Sequence, residues 1–128
     1  MPRRLISLAP ALENRGSYSR AVVDGDFCFV AGTTGFDYAT MTIPEDVEAQ
    51  VRNIFANIGK VLDEAGFSMA DIVRVTHYVT DIRYAEPLRT VVAEFLGDIR
   101  PASTLVAVTA LASPAMKVEV EVTAKRRT

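Results

Sequence analysis

The chain has 128 residues, 49% of them hydrophobic and 23% charged, with a net charge of −2. Those values suit one domain spanning residues 1–128 and supply one core, while a slightly acidic chain lacks the clustered positive charge that holds nucleic-acid phosphates. A lone cysteine, Cys28, rules out an intrachain disulfide and a thiol metal cluster, and no apolar run reaches the ~18 residues of a membrane-crossing helix.

In chain order, Met1-Pro2-Arg3-Arg4 and the short apolar stretch after it, broken by Pro10, make no secretory leader, so a reducing cytoplasm is the expected setting. Arg3–Leu8 reads as a short strand. Ser19–Val23 and Phe27–Ala31 read as the arms of a hairpin around Asp24-Gly25-Asp26, since type I′ turns need positive φ at both central positions. Cys28, inside the second arm, is expected to be a buried structural thiol. Residues 32–42, with two glycines and many hydroxyls, read as a loop.

Thr42-Ile43-Pro44-Glu45 has the form of a capping box, with Pro44 and Asp46 in the first turn of a helix. Val47, Val51, Ile54, Phe55, Ile58, Val61 and Leu62 recur at spacings of three and four and give that helix one apolar stripe. Gly66 is expected just past its end, in a left-handed conformation. After a tight turn at Ser68–Asp71, Ile72–Thr80 reads as a strand. A second helix starts near Asp81–Tyr84, buries Leu88, Val91, Val92, Phe95 and Leu96, tolerates Pro87 in its opening turn, and ends at Gly97. Thr104–Thr109 is nearly all apolar and reads as a strand covered on both faces. Lys117–Lys125 alternates strictly, with Val118, Val120, Val122 and Ala124 on one face and Glu119, Glu121 and Thr123 on the other. The C-terminal Lys125-Arg126-Arg127 reads as a solvated tail.

The predicted order, β-β-α-β-α-β-β with the short extra strand, is an α+β fold: a mixed sheet with two helices packed on one face. The other face has no helix left to cover it, and Ile72–Thr80 and Thr104–Thr109 offer apolar side chains to both sides. Symmetric self-association is the expected remedy, with small-molecule sites between subunits.

Phosphate loops, nucleophile elbows and His or Cys pairs at metal-ligand spacing are missing, so neither metal nor cofactor is expected. His77, the one histidine, sits mid-strand and reads as a hydrogen-bonded interior or interface residue. What remains is polar residues at element ends. Tyr18 opens a strand, and Arg20, two residues on, shares its face. Glu119 and Glu121 share the polar face of the last strand, where composition alone reads them as solvated. Arg89 faces away from the apolar stripe of its helix.

These positions coincide with a family pattern carried by four segments: Gly16-Ser17-Tyr18-Ser19; Phe29-Val30-Ala31-Gly32-Thr33; Asp46-Val47-Glu48-Ala49-Gln50 through Asn53 to Ile72-Val73; and Arg100-Pro101-Ala102-Ser103-Thr104 with Val118-Glu119-Val120-Glu121-Val122. The chain resembles the RidA/YjgF family, also called endoribonuclease L-PSP, the reactive-intermediate imine deaminases. That resemblance implies a chorismate-mutase-like fold, a homotrimer with ligand clefts at subunit boundaries, and cofactor-free, metal-free hydrolysis of 2-imino and 2-enamino acids to 2-keto acids and ammonia. It casts Tyr18 and Glu119 as the tyrosine and glutamate that position substrate and water, and Gly32 as a substrate-binding residue. The family's carboxylate-binding arginine, which suits that task by its planar fork, is Ser103 here. Its small neighbour is Leu105, a cleft serine is Ala31, and a helix asparagine is Arg89.

Three functions follow. In the first, a divergent deaminase or hydrolase acts on a small imine, enamine or related compound, with Glu119 activating water, Tyr18 donating a hydrogen bond, and Arg20 or Arg89 meeting substrate charge. The second is a non-catalytic sensor or carrier of a metabolite. The third is a ribonuclease or translation inhibitor, which the acidic charge and lack of a basic-aromatic patch disfavour.

Overall fold

The computed structural model describes residues 3–127. Strand β1 (Arg4–Ile6) leads to helix α1 (Pro10–Gly16), the hairpin of β2 (Ala21–Asp24) and β3 (Phe27–Thr33), and the long helix α2 (Val47–Ala65). A 3-10 turn (Met69–Asp71) precedes β4 (Ile72–Val79), a second (Ile82–Tyr84) runs into α3 (Ala85–Leu96), and β5 (Ala102–Ala107) and β6 (Val118–Lys125) complete the chain. The strands form one sheet in the order β1-β2-β3-β6-β4-β5, antiparallel throughout except for the parallel β4–β5 pair. It is the predicted mixed α+β architecture with one more helix, α1, than the sequence reading contained.

The core lies between α2, α3 and one sheet face. The α2 stripe of Val51, Ile54, Phe55, Ile58, Val61 and Leu62 is buried against Val118, Val120, Val122 and Ala124 of β6. Each such side chain contributes roughly 1.5–3 kcal/mol by leaving water. Phe55 stacks on Phe95 at 5.2 Å and locks α3 beside α2. Cys28 is fully buried and its thiol is pushed up to about 11 by desolvation, so it is an inert packing residue. His77 is buried too, with Nδ1 3.3 Å from the Thr104 carbonyl, and burial pulls its pKa below the ordinary value.

Several local expectations are corrected. The hairpin turn has positive φ at Gly25 (59°) but not at Asp26, so it is of the type II′ kind, with glycine at the first central position, and not type I′. The α2 cap is Asp46, whose carboxylate accepts from Ala49 N at 2.9 Å. Thr42 cannot take that role because it is bridged to Asp37, and Pro44 lies ahead of the helix. The Gly66 cap is left-handed as expected (φ 81°), and α3 ends at Leu96 with Gly97 as its cap, also as expected, though Gly97 keeps right-handed angles (φ −55°) and the left-handed turn follows at Arg100, φ 55°. Arg126 stacks on Phe67 at 4.2 Å and Arg127 pairs with Asp71 at 3.1 Å, so the basic tail is tied down.

Replacing Asp46 by Ala leaves an N-terminal amide of α2 without its acceptor. A loss of about 1 kcal/mol is expected, read as a lower urea midpoint at unchanged slope.

The open sheet face also differs from expectation. On β4 it presents Arg74, Thr76 and Tyr78, opposite Thr123, Glu121 and Glu119 of β6, so its centre is polar. β5 is an exposed edge strand with β4 as its one neighbour, not a strand covered on both faces. Exposed apolar side chains on this face are Leu5 of β1, the stacked pair Phe27–Phe29 of β3 beside that polar centre, and Val106 of β5.

Candidate functional site

The site is built where the regular ladder fails. Between Val30 and Thr33, β3 carries one residue more than β6 opposite it, which puts Ala31 and Gly32 in a bulge. Gly32 is needed there: a Cβ on it would lie 2.6 Å from Glu119 Oε2, so the glutamate carboxylate rests on the bare backbone. Gly16 does the same for Tyr18, since a Cβ would stand 2.6 Å from ring atoms Cδ1 and Cε1. Between them, Ser17 closes α1 in a left-handed conformation (φ 58°) and turns the chain ahead of Tyr18, which stays partly exposed.

Tyr18, Arg20, Ala31, Gly32 and Glu119 line one cavity of about 590 Å³. Leu12 of α1, Phe36 and Met41 of the β3–α2 loop, and Ala112 and Met116 of the β5–β6 loop supply an apolar wall, with Arg15 and Tyr38 also on the lining. Tyr18 does not open a strand, as the sequence reading had it: β2 begins at Ala21, and Tyr18 lies in the link from α1. Arg20 lies outside β2 as well, so no pleat relates the two, yet its guanidinium carbon stands 5.3 Å from the Tyr18 ring centroid.

Arg20 is 4% exposed. Its Nη2 donates to the Gly32 carbonyl at 2.6 Å and its Nη1 to the Tyr38 hydroxyl at 3.0 Å, while Nε is buried without a partner. Buried Glu13 accepts from the Leu8 and Ala9 amides at 2.9 Å each and lends Arg20 a second negative neighbour. Both terminal nitrogens are thus engaged with the wall, so Arg20 offers the cavity positive charge more than a free two-pronged fork. Glu119 is half-buried. Desolvation raises its carboxyl above the ordinary value; Arg20 opposes the rise and Glu121 adds to it.

The other expected binding residues lie elsewhere within one chain. Arg89 and Ser103 border a separate groove of about 620 Å³ between α3 and β5, together with Arg100. Arg89 is exposed and pairs with Glu86 at 2.5 Å. Leu105 packs against the core beside His77. No cluster of three or more His, Cys, Asp or Glu side chains suited to a metal forms among the described residues. Among those residues, too, no helix is long and apolar enough to cross a membrane.

Sequence reading missed three carboxamides on α2. Gln50 Nε2 donates to the Pro44 and Ala115 carbonyls at 2.7 and 2.9 Å, and its Oε1 accepts from Lys117 N at 3.0 Å. Asn53 and Asn57 donate to the carbonyls of Gly35 and Phe36 at 3.0 and 2.8 Å. These side chains pin both loops that form the apolar wall. The signal was available as amides at i, i+3 and i+7 flanking the apolar stripe.

The family model described as Endoribonuclease L-PSP matches residues 8–126. A RutC family protein of Pyrococcus abyssi is 35% identical over 112 residues, covering 87% of this chain and 88% of its own length. A 2-iminobutanoate/2-iminopropanoate deaminase of Dermatophagoides farinae is 32% identical over 123 residues, covering 94% of each chain. The crystal structure of a YjgF-family protein of Mycobacterium tuberculosis superposes with a TM-score of 0.89 at 38% identity, covering 98% of this chain and 100% of that one. With a cavity built on the segments that carried the resemblance and a family match over nearly its whole length, the chain belongs to the RidA/YjgF family.

Proposed function

We propose that this chain hydrolyses small imines or enamines to carbonyl compounds and ammonia, with Glu119 handling the water and Tyr18 and Arg20 holding the substrate. The observation that carries the reading is a half-buried carboxylate facing Tyr18 and a buried guanidinium across one cavity. In the reaction, water adds its oxygen to the imine carbon while Glu119 accepts a water proton. The nitrogen gains protons, the C–N bond breaks, and ammonia leaves as the carbonyl forms. Tyr18 donates a hydrogen bond to the polar end of the substrate. The deaminase among the relatives favours this chemistry, and the apolar wall and net charge of −2 disfavour a polyanion.

In this reading the protein works as a homotrimer. The exposed edge β5 carries Ser103 and Leu105 and, with Arg89 on α3, joins the cavity of a neighbouring copy at the subunit boundary. Ser103 gives no bidentate grip on a carboxylate, and Arg20, with both terminal nitrogens committed, holds the substrate through charge alone, so affinity comes largely from the apolar wall. A cavity of about 590 Å³ is far larger than a three-carbon imino acid requires.

The test uses imines generated in situ by an amino-acid oxidase, with ammonia release followed. Imines from leucine or phenylalanine are expected to give kcat/KM roughly tenfold or more above that from alanine, because each buried methylene adds ~0.8 kcal/mol. A preference for the alanine product would refute the apolar-wall account. Binding of such compounds without turnover would instead make the chain a metabolite carrier.

A further inference from the structure

We infer that Tyr78 and Glu121 form a positioning pair for Glu119: they fix a negative charge beside it and so make Glu119 the carboxyl that takes up and returns the proton. This rests on the hydrolytic reading of Glu119 given above.

The geometry follows from the alternation of β6. Glu119 and Glu121 point to the same open face, about 7 Å apart along the strand. On β4, Tyr78 stands directly opposite Glu119 and Thr76 opposite Glu121. Yet the Tyr78 hydroxyl bypasses its direct neighbour and donates to Glu121 Oε1 at 2.5 Å. Arg74 borders the same shallow pocket as Glu121 and Thr76, adding positive charge on that side. Glu121 therefore accepts a short hydrogen bond from Tyr78 and shares its pocket with a guanidinium.

Glu119 receives no such support: no side chain among the described residues donates a hydrogen bond to its carboxylate. The charged or titratable groups around it are Glu121 on its own strand, Tyr78 on β4, and Arg20, Tyr18, Tyr38 and Arg15 across the cavity. Arg20 favours the ionised form, whereas desolvation and Glu121 disfavour it. The two neighbouring carboxylates differ in hydrogen bonding, and the one without a donor is the one that borders the cavity, where it can exchange a proton with water. Neither Tyr78 nor Glu121 borders the cavity, so both act through Glu119 and not on the substrate.

The test is a carboxyl titration by NMR on protein carrying 13C-labelled glutamate, the Glu119 signal being assigned by its loss in Glu119→Gln. It is paired with pH profiles of kcat/KM. Glu121→Gln is expected to move both the Glu119 titration and the acid limb of the profile to lower pH by roughly 0.5–1.5 units. Tyr78→Phe, which leaves Glu121 free to share the proton, should move them in the same direction by less. A Glu119 titration that stays in place in both variants, with native circular dichroism, overturns the inference. If Glu119→Gln keeps full activity, the hydrolytic reading falls, while the titration still decides whether the pair acts on Glu119.

Discussion

Glu119→Gln is expected to lower kcat/KM for imine hydrolysis about a hundredfold or more while leaving the protein as stable as before, or more so. The amide keeps the shape that rests on Gly32 but cannot take a proton from water. Stability moves the other way because of the direction of the pKa shift. A carboxyl whose folded-state value is raised contributes stability that is complete below its unfolded value and is lost as pH rises through the folded one. At neutral pH the charged Glu119 therefore weighs against folding, and an uncharged replacement relieves that cost. For the same reason, wild-type activity should fall on the acid side at a pH above the ordinary glutamate range. A variant that loses activity and stability together would point to a structural role instead.

The second large effect is expected at Gln50. Changing it to Leu keeps the volume but strips the Pro44 and Ala115 carbonyls and the Lys117 amide of their partner in a place Gln50 itself seals completely. Each buried group left unpaired costs about 1–3 kcal/mol, so a loss of roughly 3 kcal/mol after partial rehydration is expected in urea unfolding. The damage should also reach the site without touching it. Ala112 and Met116 lie in the loop that Gln50 holds, and Phe36 and Met41 in the other, so the apolar wall loosens. KM for bulky imines should rise more than kcat falls. An unfolding midpoint within error of wild type would show that these loops hold themselves.

Much of this fold was legible because its signals are periodic. The α2 stripe is repeated over 19 residues, and the alternation of β6 over 8, so each reports its buried face redundantly. Helix α1 has only 7 residues with Leu12 as its one large apolar side chain, too few for any period, and its start at Pro10 reads equally well as a break. The capping box at Thr42 failed for a tertiary reason, since a bridge to Asp37 draws that residue away, and Asp46 four residues on was the better acceptor. The edge position of β5 was hidden as well, because an apolar run such as that in Ala102–Ala107 looks the same whether a sheet or a partner subunit covers it.

The site divides along the same line. Tyr18 and Glu119 could be named from resemblance and Arg20 from a pleat that β2 does not extend to, and the structure brings all three to one cavity. The bulge at Ala31 and Gly32 depends on a register slip between β3 and β6, strands far apart in sequence. The commitment of Arg20 to Gly32 and Tyr38 follows from that bulge, so neither was readable beforehand. Arg89 and Ser103 share a groove of their own in a single chain, and whatever they add to the cavity must come from a neighbouring copy.

The most direct measurement is ammonia production from leucine-derived imine, formed continuously by an oxidase at neutral pH, with and without the purified protein. The account predicts release well above the spontaneous rate, in proportion to added protein, with the matching keto acid formed mole for mole. Release that stays at the spontaneous rate for this and every other imine offered would contradict it.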